Sequence, residues 1–120
     1  MTLSVSTQVS PVGSNLIKET SAGATANNDV TGTSGTIYMI EVDNAANSSS
    51  SFMKIYDDAA PTIGTTVPDH VFRVPANQVR QIVCPGGMDF SNLSFAVVTA
   101  GGTMGTTSPA SAVVVAIVTS

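Results

Sequence analysis

Apolar and polar side chains alternate in several short stretches of this chain, and a period of two is typical of half-buried β-strands. The most regular stretch lies near the start, where Leu3, Val5, Thr7 and Val9 alternate with serine and glutamine side chains. Further stretches of this kind predict strands over residues 15–20, 36–43, 52–57, 70–74, 79–84, 93–99 and 113–118. The chain is therefore expected to form seven or eight short strands.

Turn-forming residues separate these predicted strands. Pro75 and Asn77 predict a hairpin turn, because proline presets φ and asparagine tolerates a positive φ. The Pro85-Gly86-Gly87 sequence predicts a corner between two strands, since glycine adopts backbone conformations that other residues avoid. Short strands at regular spacing with turn-rich connections predict an all-β, antiparallel two-sheet sandwich. Its strand order is either that of a jelly roll or immunoglobulin-like.

The alternation also assigns side chains to faces. In the strand 36–43 it places Tyr38 with Ile40 and Val42 and puts Ile37 on the opposite face. The last strand, within residues 112–118, is apolar on both faces, which a half-exposed strand of a monomer would not tolerate. The pattern therefore predicts that the protein self-associates.

Three polar segments lack any periodicity. Residues 44–51 form a loop, and residues 99–111 form a second, longer one. Connections in compact domains usually run to about 4–6 residues, so residues 21–35 are either a functional loop or a mobile arm. We interpret residues 1–120 as a single β-sandwich domain in which residues 1–14 are an N-terminal arm or edge strand.

Composition and charge exclude several classes of function. Serine and threonine account for 30 of the 120 residues, only 10% are charged, and the net charge is −4 without a basic stripe. Direct binding to nucleic acid is disfavoured, because it requires basic side chains that neutralise phosphates. No secretory signal is visible at the start. The longest apolar run, 112–118, is far too short to span a bilayer, so no membrane partner is predicted.

The only histidine, His70, follows Asp69, and such a pair can serve general-base chemistry. Neighbours along a strand point to opposite faces, however, and no nucleophile-elbow motif occurs in the chain. We interpret His70 as a polar residue at a strand edge. The only cysteine, Cys84, cannot form an intrachain disulfide, and Arg80 would lie about 13 Å away along the strand. Cys84 is therefore interpreted as a buried structural thiol rather than a catalytic one.

Asp57 and Asp58 are the only adjacent carboxylates, and paired carboxylates can bind Ca²⁺. A calcium site needs about 6–8 oxygen ligands, and the next acids, Asp69 and Asp89, are distant in sequence. We expect Asp57 and Asp58 to cap a turn instead. The six aromatic residues are interpreted as core residues: Tyr38, Phe52, Tyr56, Phe72, Phe90 and Phe95. No catalytic, cofactor or metal site is predicted, and the protein is expected not to be an enzyme.

One part of the chain resembles a known family. The segment from Lys54 to Pro68 runs Lys-Ile-Tyr-Asp-Asp-Ala-Ala-Pro-Thr-Ile-Gly-Thr-Thr-Val-Pro, and Val74-Pro-Ala and Pro85-Gly-Gly-Met-Asp-Phe follow it. This layout resembles a recurrent segment in small β-domains of tailed-bacteriophage virion proteins, and the resemblance covers about residues 52–118.

The resemblance implies a structural role in a virion. The size of the chain fits a capsid decoration, or cement, protein that lies on the outer capsid surface and clamps subunits of the major capsid protein. Proteins of that kind are commonly trimers, and they assemble in the cytoplasm of the host cell. The alternative is a tail, baseplate or fibre domain that acts as a binding or attachment module.

Overall fold

The computed structural model describes Leu3 and residues 13–120, and within them it contains seven β-strands and no helix. The strands are β1 (Asn15–Ala22), β2 (Gly35–Asp43), β3 (Ser51–Asp57), β4 (His70–Val74), β5 (Val79–Phe90), β6 (Leu93–Val98) and β7 (Val113–Thr119). No helix in this part of the chain is long and apolar enough to cross a membrane.

The strands form two antiparallel sheets that pack as a sandwich. The four-stranded sheet has the order β1-β7-β2-β5, and the three-stranded sheet has the order β4-β3-β6. The predicted all-β sandwich is therefore confirmed, and so are six of the predicted strands at nearly their expected bounds. The strand predicted over residues 3–9 lies outside the described residues, apart from Leu3.

The pairing scheme decides between the two strand orders that the sequence leaves open. The first half of the chain pairs with the second half in reverse: β1 with β7, β2 with β5, and β3 with β4. Between β1 and β2, an antiparallel bridge joins Asn27 to Phe95 of β6. A double-stranded ribbon wound in this way is a jelly roll, in which the segment around Asn27 takes the place of the eighth strand.

Residues 21–35 are predicted to be either a functional loop or a mobile arm; residues 21 and 22 belong to β1 and residues 23–30 bond to β6, so the mobile-arm alternative is wrong. Ala22 ends β1 in the core, and the following 23–30 segment runs along the outer edge of β6. The backbone N–H groups of Asn27 and Val30 donate to carbonyl oxygens of β6 at 2.9 and 2.8 Å. This segment pairs with backbone groups at the edge of β6 that would otherwise be exposed and unpaired.

The predicted corner at Pro85-Gly86-Gly87 is wrong, because β5 continues through it to Phe90. Ile37 pairs with Met88 while Met39 pairs with Val83, so the residues from 84 to 87 bulge opposite Tyr38. Gly86 and Gly87 have φ angles of 80° and 85°, which favour glycine. A Cβ atom on Gly87 would also collide with the side chain of Thr36.

The same bulge corrects the predicted faces of β2. Ile37, Ile40 and Val42 all point into the core with no more than 1% exposure, whereas Tyr38 is only half-buried. A bulge interrupts the period of two, so the residues on either side of it no longer follow one alternation. The hairpin turn after Pro75 is confirmed, with a φ of 59° at Asn77.

The hydrophobic core lies between the two sheets. It takes residues from every strand, and alternate ones from β7 (Val113, Val115 and Ile117) and β6 (Leu93, Phe95 and Val97). The outer face of the three-stranded sheet is buried as well, because the 99–111 loop folds over it. The outward-facing residues Lys54, Tyr56, Ala96 and Val98 are therefore at most 1% exposed.

Candidate functional site

The structure brings together acidic residues that the sequence separates. Asp57, Asp69, His70 and Asp89 line one small cleft of about 80 Å³, whose floor contains apolar core side chains. The pairing of Ile55 with His70 brings the start of β4 to the end of β3, and Asp89 arrives on the neighbouring end of β5. This grouping depends on strand pairing and is not visible in the spacing of the residues.

The three carboxylates of this cleft all accept hydrogen bonds, two of them from backbone N–H groups. Oδ1 of Asp57 accepts hydrogen bonds from the N–H groups of Ser91 and Asn92, at 2.9 and 2.8 Å, and so holds the turn between β5 and β6. Oδ2 of Asp69 accepts from the N–H of Asp57 at 2.6 Å. Oδ1 of Asp89 accepts from the Thr36 hydroxyl at 2.8 Å. Asp57 and Asp69 thus hold the backbone near strand ends, and Asp89 links β5 to β2.

Asp58 closes an Asx turn, since its Oδ1 accepts from the N–H of Ala60 at 2.8 Å. The turn-capping interpretation of Asp57 and Asp58 is thus confirmed. Among the described residues, no three or more His, Cys, Asp and Glu side chains are grouped so that they could hold a metal ion.

His70 is the first residue of the edge strand β4, as predicted for a polar residue at a strand edge, and it is exposed. Its ring stacks on that of Phe72 with centroids 6.3 Å apart and an angle of 11° between the planes. Both residues point to the same face because they are two apart in a strand. The stacking fixes the imidazole against an aromatic neighbour.

Cys84 lies at the β5 bulge and is half-buried against the core, whereas the prediction has it buried. Burial raises the pKa of its thiol, which keeps the sulfur protonated and less nucleophilic. Arg80 is engaged elsewhere, since its Nη1 donates to the carbonyl oxygen of Arg73 at 2.7 Å. The structural interpretation of this thiol agrees with both observations.

The aromatic residues divide into two groups. Tyr56, Phe90 and Phe95 are buried, as predicted for core residues. The other three are half-buried, and they are Tyr38, Phe52 and Phe72. Phe90 and Phe95 belong to the core between the sheets and Phe72 packs against it, whereas Tyr56 packs under the loops on the outer face of the three-stranded sheet.

A buried polar network closes one end of the sandwich, in a loop to which the sequence assigns no role. Asn44 is completely buried, and its Oδ1 accepts from Nδ2 of Asn47 at 2.9 Å and from the hydroxyl of Ser51 at 2.7 Å. Its Nδ2 donates to the main-chain carbonyl oxygens of Ser49, Val74 and Pro75. One amide group thus joins the loop before β3 to the end of β4.

Asn47 extends this network to the 99–111 loop. Its Nδ2 donates to the carbonyl oxygen of Ser111 at 3.1 Å, and its Oδ1 accepts from the N–H of Ser111 at 2.7 Å. Its own carbonyl oxygen accepts from the N–H of Asn77 in the β4–β5 turn. Three connections of the fold are therefore held by two side chains.

Lys54 is the second polar feature that the sequence pattern did not indicate. It is completely buried, and its Nζ donates to the carbonyl oxygens of Gly102 and Gly105, at 2.5 and 3.5 Å. Desolvation by burial lowers its pKa from the usual value. Its aromatic neighbours two residues away, Phe52 and Tyr56, are the one sequence signal for a covered face. The ammonium group ties the 99–111 loop to the outside of β3.

We expect the stability of the protein to depend on pH through Lys54. Its pKa is lowered in the folded state, so the folded protein binds fewer protons than the unfolded chain just below the usual value of 10.5. The free energy of unfolding should therefore rise with pH towards 10.5 and fall as pH drops through the lowered pKa. Lys54→Met should lack this rise in urea unfolding measured at a series of pH values.

Tyr56 and Cys84 also make the stability depend on pH, and the comparison of the two proteins removes their contribution. Burial raises the pKa of both groups, so each lowers stability at alkaline pH, and both are unchanged in Lys54→Met. Their contributions cancel when the two proteins are compared at each pH. Parallel pH profiles for the two proteins would contradict the role of Lys54.

A second cleft lies between the start of the 23–30 segment and the end of the 99–111 loop. It has a volume of about 470 Å³, and its lining includes Thr25, Asn27, Ser108 and Ser111. The Ser108 hydroxyl accepts from the N–H of Ala24 at 2.8 Å and so joins its two walls. The lining consists of small and neutral side chains.

Comparison of the chain with protein-family models, with curated proteins and with solved structures finds no match in any of the three.

Proposed function

We propose that this chain is a non-enzymatic structural component of a tailed-bacteriophage virion, a decoration protein that clamps and stabilises the shell of the major capsid protein. In this proposal the protein lies on the outer capsid surface, and it joins the capsid in the cytoplasm of the host cell. Self-association, which the resemblance implies, is part of the proposal.

The observation that carries this proposal is that the polar side chains form hydrogen bonds within the domain. The side chains best suited to catalysis or metal binding are the carboxylates of Asp57, Asp58 and Asp69, and they accept hydrogen bonds from backbone N–H groups. The amides of Asn44 and Asn47 connect loops. These polar side chains stabilise the fold of the domain itself. Such a domain suits a structural role that requires a stable surface.

The fold gives additional support by analogy. Jelly rolls are frequent in viral capsid domains, although they also occur in lectins and in cupins, so the fold alone does not assign a function. The residues that carry the resemblance specify architecture here: the segment after Lys54 contains the Asx turn of Asp58, and Gly86 and Gly87 form the β5 bulge. Both features are fold-determining.

We assign the capsid contact to the N-terminal arm. An extended segment can add a strand to the sheet of a neighbour and gain backbone hydrogen bonds with little demand on sequence. The backbone of the 23–30 segment is bonded to β6, so it is not free for such pairing. Gly13 packs against the end of β7, where a Cβ atom would collide with the carbonyl oxygen of Thr119. A truncation should therefore keep Gly13.

Deletion of residues 1–12 is expected to leave a folded domain that no longer binds empty capsids. Binding is measured by co-sedimentation of the purified protein with capsids that lack it, and folding by a thermal melt. His70→Ala, Cys84→Ala and Asp58→Asn are the controls, and each should bind within about threefold of wild type because none contacts the shell in this proposal.

Two outcomes would contradict the proposal. If the truncated protein decorates capsids fully, the arm is not the clamp. If His70→Ala or Asp58→Asn abolishes binding or another activity without changing the melt, the protein has a site that the proposal lacks. The copy number in purified virions separates the alternative role, because hundreds of copies indicate the shell and a dozen or fewer indicate the tail.

A further inference from the structure

The two outer faces of the sandwich differ in their cover. Loops bury the outer face of the three-stranded sheet, where Lys54 and Tyr56 have no exposed surface. On the four-stranded sheet, by contrast, Leu16 of β1 and Val83 of β5 are 69% and 65% exposed. Val79, at the start of β5, is 51% exposed on the same face. The larger sheet therefore has an apolar outer surface that the described residues leave open.

These apolar side chains are aligned. The strand register places one residue from each strand in a single row across the whole sheet: Leu16, Val118, Met39 and Val83. Neighbouring strands are about 4.8 Å apart, so the row is a continuous apolar stripe about 14 Å long. Val118 and Met39 are half-buried between the exposed Leu16 and Val83, and a contiguous apolar stripe on an open sheet face suits an interaction surface better than scattered apolar residues do.

The next row on the same face carries charges of both signs. It consists of Lys18 on β1, Ala116 on β7, Glu41 on β2 and Gln81 on β5. Oε2 of Glu41 accepts from Nε2 of Gln81 at 2.7 Å, which places the negative charge between β2 and β5. The positive charge of Lys18 lies on the same face at the other edge of the sheet, on β1. The row is therefore positive at one end and negative near the other.

We infer that the outer face of the four-stranded sheet is the contact between two copies of this chain, packed sheet against sheet around a two-fold axis. The axis runs parallel to the strands and passes between β7 and β2. Sheets packed in this way lie about 10 Å apart with their strands nearly aligned. The inference does not rest on the proposed function, and it predicts a dimer where the resemblance predicts a trimer.

The two-fold axis makes both rows self-complementary. It places Leu16 over Val83 of the second copy and Val118 over Met39 of the second copy, so the stripe buries itself. It also brings Lys18 to the Glu41–Gln81 pair of the second copy, twice in the dimer. An isologous contact requires this kind of match between a surface and itself. A face with charge of one sign alone would repel its own copy.

The size of the face is sufficient for a specific contact. Four strands of about seven residues cover on the order of 400 Å² in projection, and their side-chain relief increases the accessible area. Two copies together bury on the order of 1,000 Å², at which specific interfaces begin. Because the stripe is apolar and its flanking charges pair, the contact fits a weak to moderate dimer.

Light scattering on the purified full-length protein at micromolar concentration tests this contact. The wild type is expected at twice 12.1 kDa. Ala116→Glu places a carboxylate against Glu41 of the second copy and should raise the dimer dissociation constant at least about a hundredfold. Lys18→Glu should weaken the dimer as well, and combining it with Glu41→Lys should restore the dimer because the charges are exchanged.

Val67→Glu is the matched control, since Val67 is 72% exposed but lies in the loop before β4 rather than on this face. It should remain dimeric. Thermal melts of all variants separate loss of contact from loss of fold, and Lys18→Glu tests the contact even if Ala116→Glu unfolds. A monomeric or trimeric wild type, a dimer that survives Ala116→Glu, or a double variant that stays monomeric would overturn the inference.

Discussion

Phe95→Ala is expected to lower the free energy of unfolding by about 3–5 kcal/mol, because it empties a buried aromatic site. Phe95 is 1% exposed and lies in the core with Leu93 and Val97 on the same face of β6. Domains of this kind are stable by about 5–15 kcal/mol, so the change removes a large share of the total. Urea unfolding at neutral pH measures the loss directly.

Phe72→Ala is the matched control for this prediction. Phe72 is also a phenylalanine in a strand of the same sheet, but it is half-buried on the edge strand β4 and stacks on His70. Less contact is lost there, so we expect less than half of the effect of Phe95→Ala. Equal losses for the two variants would mean that burial between the sheets does not determine the stability of this fold.

Asn44→Ala is expected to cost a similar amount, about 3–5 kcal/mol, for a different reason. Removal of the amide takes hydrogen bonds from several buried polar groups, and each group left unsatisfied costs about 1–3 kcal/mol. The Ser51 hydroxyl and the Val74 carbonyl oxygen lose their bonds to Asn44, and Nδ2 of Asn47 keeps only its bond to the carbonyl oxygen of Ser111. The melting temperature should fall accordingly, and hydrogen exchange should increase in the 99–111 loop, which Asn47 holds.

Two further variants test the origin of this loss. Ser48→Ala lies in the same loop at an exposed position and should change stability little. Asn44→Asp keeps the acceptor oxygen but replaces the donor that serves three carbonyl groups, so it should be nearly as destabilising as Asn44→Ala at neutral pH. If Asn44→Asp is as stable as wild type, the donated bonds contribute nothing.

Much of the candidate site could not be predicted from the sequence. The Asx turn of Asp58 was predictable, because it depends on a carboxylate and an N–H two residues away. The cleft that joins Asp57, Asp69 and Asp89 was not, because it forms where β3 and β5 end and β4 begins. The burial of Lys54 also depends on a loop about 50 residues away, which supplies the acceptors Gly102 and Gly105.

The sequence by itself determined the all-β class, the position of most strands and the hairpin turn at Asn77, because alternation and turn chemistry are local properties. Only the tertiary structure decided the jelly-roll order, the bulge of β5 opposite Tyr38 and the docking of the 23–30 segment on β6. These features arise from hydrogen bonds between distant strands, which a periodic pattern does not specify. The apolar stripe on the four-stranded sheet belongs to the same class, since only the register aligns Leu16 with Val83 across two intervening strands.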